Sequence, residues 1–162
     1  MKTRTTLAAI VSFVAGLAIA YAADKPNPNP NPMMGTWKLN DAKSKFEAGA
    51  TKNHTVVYTP QGDSVKVIVD GTTKDGKAVH NEWVGKMDGK DYPVTGDNDA
   101  IDARSYVKVD DNTLKMTLMK GGKVVGGGTV KVSADGKSRT VVTKASDAKN
   151  ASFDGTAVYD KQ

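Results

Sequence analysis

The residues best suited to acid–base or metal chemistry are the two histidines, His54 and His80. In the run His80-Asn81-Glu82-Trp83, His80 and Glu82 share one face of a predicted strand, and the two other residues share the opposite face. A histidine beside a carboxylate is half of a metal site or of an acid–base pair. A metal site needs three or four ligands and hydrolysis needs a nucleophile, so we interpret His80 as a polar strand position.

An acidic run and a glycine run are each better explained by backbone geometry than by a ligand. Asp97-Asn98-Asp99 concentrates oxygen ligands, but it lacks the glycine and bidentate glutamate of a calcium loop, which favours an Asx-rich turn. Gly126-Gly127-Gly128 interrupts a predicted strand and precedes no helix, so it does not resemble a phosphate-binding loop. It predicts a bulge, a sharp bend or a close backbone approach.

The remaining candidate chemistry is that of ligand binding. A guanidinium turned into an apolar cavity suits an anionic ligand because it presents a planar fork of donors. Strand alternation predicts that Arg104 faces solvent, unless a bulge after Ala103 reverses the register. Aromatic rings with a polar tip suit the same kind of pocket. The candidate ligand-binding residues are Trp83, Tyr92, Arg104, Tyr106, Met116, Phe153 and Tyr159.

Composition excludes several classes of protein. The chain contains no cysteine, which excludes disulfides, thiolate metal sites and thiol catalysis. The formal net charge is +5, of which Lys2 and Arg4 carry two units, and the other basic residues form no block. We therefore predict no nucleic-acid partner. No nucleophile–base pair, paired carboxylates or cofactor motif is present, so we predict a protein that is not an enzyme and has no cofactor.

The amino-terminal region predicts export. Lys2 and Arg4 precede an apolar run over residues 7–20 that is too short to span a bilayer comfortably, and Ala20-Tyr21-Ala22 suits signal peptidase. We predict a signal peptide over residues 1–22 of a periplasmic or extracellular protein, with an uncleaved membrane anchor as the rival. After removal of the signal we expect no stable membrane insertion. Residues 23–32, in which proline alternates with asparagine from Pro26 to Pro32, form a spacer, and residues 33–162 form one domain.

Short β-branched runs separated by turn residues predict an all-β fold. The predicted strands span residues 35–40, 53–60, 64–70, 78–86, 91–95, 101–109, 113–120, 123–133, 138–146 and 152–160. Alternation predicts the inward residues Val65, Val67, Val69, Ile101, Ala103, Val107, Val109, Leu114, Met116 and Leu118. The best helical candidate runs from Asp41 to Glu47. One short turn capped by Asp41, which would bring Phe46 back to the barrel rim, and an irregular loop are equally compatible with the pattern. An antiparallel up-and-down meander of about ten strands avoids exposed edges if it closes into a barrel.

Two ends of the domain resemble the calycin superfamily. Gly35-Thr36-Trp37-Lys38-Leu39 resembles its Gly-x-Trp opening, as in intracellular fatty-acid-binding proteins, and Val158-Tyr159-Asp160-Lys161 resembles their last strand. Residues 86–96 resemble a segment of small secreted bacterial lipocalin-like proteins. The resemblance implies that Trp37 plugs the closed end of the barrel beneath Arg139 or Lys144.

The sequence departs from that pattern where fatty acids are bound. Residues 41–52 are too few for the helical lid of fatty-acid-binding proteins, and their carboxylate-binding Arg-x-Tyr corresponds to Ala157-Val158-Tyr159. We therefore predict non-catalytic binding of a small hydrophobic or amphipathic ligand in the barrel interior. The alternative is a structural or protein-interaction module with a filled core. Nothing in the sequence indicates an oligomeric state.

Overall fold

The computed structural model describes residues 31–146 and 154–162, which form a closed antiparallel β-barrel. Its strands are β1 (Gly35–Leu39), β2 (Lys45–Phe46), β3 (Lys52–Gln61), β4 (Ser64–Thr72), β5 (Ala78–Gly85), β6 (Tyr92–Gly96), β7 (Ala103–Asp110), β8 (Thr113–Lys120), β9 (Lys123–Val132), β10 (Ser138–Ala145) and β11 (Gly155–Lys161). The predicted signal peptide, most of the predicted spacer and Phe153 lie outside the described residues. Within those residues, no helix is long and apolar enough to cross a membrane.

Ten strands form the barrel wall, and the short strand β2 adds to β11. From β3 to β11, each strand pairs with the next one along the chain, which confirms the predicted up-and-down meander. Strand β1 pairs on one side with β3, where Trp37 faces Val56, and on the other side with β11, where Leu39 faces Tyr159. Because β1 is paired on both sides, the sheet closes on itself and the predicted barrel is confirmed.

Strand β7 corrects the predicted inward face. Arg104 and Tyr106 stand opposite the inward residues Leu118 and Met116, and both are buried. Val107 and Val109, which we predicted to face inward, are 46% and 63% exposed. The prediction that Arg104 faces solvent is therefore wrong.

The cause of this reversal is a β-bulge at the start of β7. The Asp102 N–H donates to the Met119 carbonyl (2.9 Å), and Ala103 is paired with the same Met119. Two residues of one strand thus face one residue of the other, which shifts the side-chain alternation by one position. Ile101 still points inward before the bulge, and Arg104 points inward after it.

The predicted helical segment is a single 3₁₀ turn over Asp41–Lys43. Its cap is Asn40, whose side chain accepts a hydrogen bond from the Lys43 N–H (3.2 Å), so the prediction that Asp41 caps this turn is wrong. The chain then enters β2, where Phe46 pairs with Gly155 of β11. The turn thereby brings Phe46 to the rim of the barrel, as predicted.

The glycine run of β9 combines a bulge with a close backbone approach. The pairing of β8 with β9 shifts between Leu118 and Met119, which leaves Val125 as an extra residue beside the run. A Cβ atom at Gly127 would lie 2.7 Å from the Met116 carbonyl oxygen, and one at Gly128 would overlap the Val142 carbonyl oxygen. The two glycines therefore let β9 pack tightly between β8 and β10.

We expect Gly128→Ala to lower the free energy of unfolding by about 1–3 kcal/mol, because the added methyl group meets backbone that cannot move without disturbing β10. Urea denaturation measures the change. Thr129→Ala is the matched control, since Thr129 is the exposed neighbour on the same strand. Equal stability of the Gly128 variant and the wild type would contradict this account of the glycine run.

Candidate functional site

The barrel encloses a cavity of about 440 Å³. Its lining is about half apolar and half polar, and the apolar part includes Val56, Val69, Ile101, Met116, Leu118, Val130 and Ala157. The cavity reaches solvent where exposed residues of three loops line it, among them Thr51, Lys77 and Asp97. A pocket of this size that combines apolar surface with a few buried polar groups is typical of small-molecule sites.

A chain of polar side chains crosses the interior of this cavity. Arg104 Nη1 donates to the Tyr106 hydroxyl (3.4 Å), and that hydroxyl lies 3.4 Å from the hydroxyl of Tyr58. The Tyr58 ring in turn contacts the guanidinium of Arg139, with 5.1 Å between the Arg139 Cζ and the ring centre. The two arginines are thus connected through two tyrosines.

Arg139 lies inside an aromatic cage. Its Cζ is 4.4 Å from the ring centre of Tyr159, 5.1 Å from that of Tyr58 and 5.2 Å from that of Trp37. Trp37 is fully buried and donates from Nε1 to the Met33 carbonyl (2.9 Å), and its role as the plug of a closed barrel end stays what the resemblance implies. Of the two basic residues considered as its partner, Arg139 takes the role, whereas Lys144 is exposed.

Arg104 has a different environment. It is 7% exposed, and its Nε has no hydrogen-bond partner within the described part of the chain. Trp83 fixes its backbone, because the indole Nε1 donates to the Arg104 carbonyl (2.9 Å). Asn81 is 4% exposed and also lines the cavity, and its Oδ1 likewise has no partner among the described residues.

Two tyrosines of the cavity, Tyr58 and Tyr159, stay neutral at physiological pH. Burial raises the pKa of Tyr58 far above its ordinary value, with a further increase from Tyr106 that Arg139 offsets in part. Burial also raises the pKa of Tyr159. Because these two phenols stay protonated, they do not neutralise the positive charge of Arg139.

The structure brings together four of the seven predicted ligand-binding residues. The residues that line the cavity are Arg104, Tyr106, Met116 and Tyr159. Trp83 packs edge-on against Tyr92 and Tyr106, with ring centres 5.8 and 5.0 Å apart, and neither Trp83 nor Tyr92 lines the cavity. Phe153 lies outside the described residues. The part of these residues in ligand binding stays a prediction.

Sequence reasoning missed three buried polar residues that line the cavity, Tyr58, Asn81 and Arg139. Tyr58 follows Val56 at a spacing of two, and this alternation alone places it on the inward face of β3. Asn81 shares its face with Trp83, so the burial of Trp83 implied that Asn81 is buried too. For Arg139, only its role in packing against Trp37 was predicted.

His80 and Glu82 lie on the outer face of the barrel, away from the cavity. His80 Nδ1 is 2.7 Å from Asp70 Oδ1, its Nε2 is 3.8 Å from Glu82 Oε1, and Lys66 pairs with Glu82 at 2.8 Å. The hydrogen bond to Asp70 raises the pKa of His80, and the hydrogen bond from Lys66 lowers the pKa of Glu82. Within the described residues, no three side chains of His, Asp or Glu could together hold a metal ion.

Comparison with known proteins adds three solved structures at low sequence identity. They are a redesigned β-barrel, mFAP1, bound to DFHBI (15% identity, TM-score 0.46, 80% of this chain and 95% of that chain), a de novo designed fluorescence-activating β-barrel (15%, 0.43, 81% and 94%) and EF1p2_mFAP2b bound to DFHBI (11%, 0.45, 81% and 94%). No protein-family model and no curated protein matches the chain. The ten-strand antiparallel barrel is therefore established, whereas membership of the calycin superfamily stays a prediction. The ligand of the cavity has to be inferred from the residues of this chain.

We expect Arg139→Met to lower the free energy of unfolding by about 1–3 kcal/mol, because the substitution removes three desolvated cation–π contacts while roughly keeping the side-chain volume. Chemical denaturation followed by tryptophan fluorescence measures the loss. Lys144→Met on the same strand is the control, since Lys144 is exposed. A variant as stable as the wild type would contradict the structural role of the cage.

We expect the pKa of His80, measured by NMR titration, to lie above 6.5 and to fall in an Asp70→Asn variant. A raised pKa in the folded state stabilises the fold below the unfolded-state pKa, about 6.5. This contribution is lost as the pH rises through the folded-state pKa. Asp75→Asn, which removes an exposed carboxylate elsewhere, is the control. An unchanged titration of His80 in Asp70→Asn would show that the hydrogen bond does not persist in solution.

Proposed function

We propose that this protein binds a small amphipathic molecule inside the barrel and performs no chemistry on it. The observation that carries the proposal is the cavity of about 440 Å³, in which apolar side chains lie beside a few buried polar groups. The apolar part of the lining favours the body of an amphipathic molecule, and the buried polar groups orient it. Arg104 and Asn81 are such groups, because each has a buried polar atom without a partner among the described residues. Arg139 has two such atoms, but its guanidinium faces three aromatic rings.

The alternative is a structural or interaction module with a filled core. It explains the exposed apolar side chains on the outer surface, such as Val109 and Val124. It does not explain the open interior, because side chains in the core of a structural module normally leave few voids larger than a water molecule. The cavity therefore supports ligand binding over the alternative.

The proposal includes export and the absence of catalysis. Export is supported by the sequence, in which basic residues, a short apolar run and Ala20-Tyr21-Ala22 precede a proline-rich spacer. A non-catalytic role is supported by the sequence, which contains no nucleophile–base pair and no cofactor motif. The buried polar groups of the cavity are an amide, phenols and guanidiniums. Its carboxylates, those of Asp97, Asp99 and Asp154, belong to residues that are not buried. We propose that the protein acts in the periplasm or outside the cell.

We expect the mature protein to bind N-phenyl-1-naphthylamine, a neutral apolar probe whose fluorescence rises in apolar surroundings, and Ala157→Phe to weaken this binding at least about tenfold. Ala157 lines the cavity opposite Val141, so a phenyl ring at this position occupies the space that the probe needs. A fluorescence titration gives the dissociation constants.

The control for this variant is Val142→Phe, which adds a phenyl ring at an exposed position on the neighbouring strand. We expect this variant to bind the probe as the wild type does. Failure of the wild type to bind the probe, or equal loss in both variants, would count against binding inside the cavity. Native mass spectrometry of the purified protein checks independently for a retained small molecule.

A further inference from the structure

The two buried arginines differ in how their charges are compensated. Arg139, 1% exposed, has two unpartnered atoms among the described residues, Nε and Nη1, but its guanidinium faces three aromatic rings whose electron-rich faces attract a cation. Arg104 has one side-chain hydrogen bond, of 3.4 Å, to the Tyr106 hydroxyl, and its Nε is unpartnered among the described residues. A buried charge is costly unless another group compensates it, and within the described residues Arg104 has neither the aromatic contacts of Arg139 nor an ionic partner.

No acidic side chain of the described residues forms an ion pair with Arg104, because every ion pair among them involves lysine or histidine. Asp97, Asp99 and Asp154 line the same cavity, but the first two are exposed and Asp154 pairs with Lys144. The buried polar and charged residues of the described part are Asn81, Arg104, Ser105 and Arg139, and none is acidic. A guanidinium keeps its positive charge when it is buried, so the partner that Arg104 lacks among the described residues is an anion.

We propose that Arg104 is the anion-binding residue of the cavity and that the ligand is an amphipathic acid, with a carboxylate, sulfonate or comparable anionic group. This inference rests on the proposed function and names the chemical class of its ligand. Arg139 packs against aromatic rings and does not hold the anion. The site lies on β7, not on β11, where the Arg-x-Tyr of fatty-acid-binding proteins would fall and where Ala157 stands.

The register of the strands orients this ligand. Arg104 is paired with Tyr92 at the start of β6, whereas Asn81 is paired with Gly96 at its end, beside Asp97 at the mouth. Four residues of a strand span about 13 Å. The anion therefore lies deep in the barrel, and Asn81 Oδ1, which is an acceptor, is placed for a hydroxyl or N–H group nearer the mouth.

The backbone around Arg104 holds the guanidinium in place. The bulge at Asp102 directs the side chain inward, and Trp83 donates to the Arg104 carbonyl. The Tyr106 hydroxyl accepts from Nη1 and leaves Nε free to donate to an anion. A donor that is already positioned binds an anion without losing further side-chain entropy.

The test compares two fluorescent probes that differ in one sulfonate. 8-Anilinonaphthalene-1-sulfonate is anionic, and N-phenyl-1-naphthylamine has the same aromatic skeleton without the charge. In Arg104→Met we expect the dissociation constant of the anionic probe to rise about ten- to hundredfold and that of the neutral probe to change less than about twofold. Lys108→Met, which removes an exposed positive charge from the same strand, should change neither.

Two further measurements separate binding from folding. The unliganded Arg104→Met variant should unfold at a denaturant concentration equal to or above that of the wild type, because a buried unpaired charge is removed. Arg104→Lys keeps the charge without the planar fork, and we expect it to bind the anionic probe with intermediate affinity. If Arg104→Met does not fold, the affinity of Arg104→Lys for the anionic probe tests whether Arg104 binds the anion.

The outcomes distinguish the two proposals. A wild type that binds neither probe contradicts the proposed function, and with it this inference. A wild type that binds only the neutral probe leaves the proposed function standing and overturns the anion site. Equal weakening of both probes in Arg104→Met, or unchanged affinity for the anionic probe, also overturns it.

Discussion

The pairing of β1 on both of its sides is the constraint on which the rest of the structure depends. Its hydrogen bonds to β3 and to β11 close the sheet, and closure removes the exposed edges that an open meander of this length would present. Closure also fixes the interior. In an eight-strand barrel, side chains are just large enough to fill the interior, and a ten-strand barrel is wider. Several residues that face the interior of this barrel are of moderate size, such as Val69 and Ala157. The cavity is therefore a consequence of strand number combined with side-chain volume, and it does not depend on any single loop.

The bulge at Asp102, which adds one residue at the start of β7, determines which side chains of β7 face the interior. If β7 alternated regularly from Ile101, Val107 and Val109 would face the cavity and Arg104 would face solvent. The bulge at Asp102 is held by several contacts: its N–H donates to Met119, its carbonyl accepts from Val94, and its carboxylate accepts from the Gly121 N–H at 2.7 Å. These bonds join the start of β7 to β6 and to the turn after β8, so the bulge is fixed by neighbouring strands on both sides. The burial of a guanidinium follows from backbone pairing, not from any affinity of arginine for the core.

Much of the architecture could be predicted from the sequence because it depends on local signals. Asp-Gly turns and β-branched alternation located ten strands within a few residues, and the spacing of Val67 and Val69 indicated the correct inward face of β4. The packing of Arg139 on Trp37 followed from a resemblance at Gly35-Thr36-Trp37. A bulge after Ala103 was named only as an exception to the predicted alternation, because the pairing with Met119 that reveals it is remote in sequence and shows no local pattern. The cap of the short turn was missed for a smaller reason: Asn40 and Asp41 are both good capping residues, and only the backbone geometry separates them.

The different surroundings of the two arginines show how a fold and a site can use the same residue type. Around Arg139, cation–π contacts with three aromatic rings replace the hydration of the guanidinium. The side chain thereby packs in the barrel interior while it keeps its charge. Around Arg104, the described residues supply a positioned backbone and one weak hydrogen bond, but none of them forms an ion pair with it. A fold selected only for stability has no reason to keep such a group, since an apolar side chain of similar volume avoids the desolvation penalty. Local conflicts of this kind concentrate at functional positions, where the missing interaction is made by a ligand.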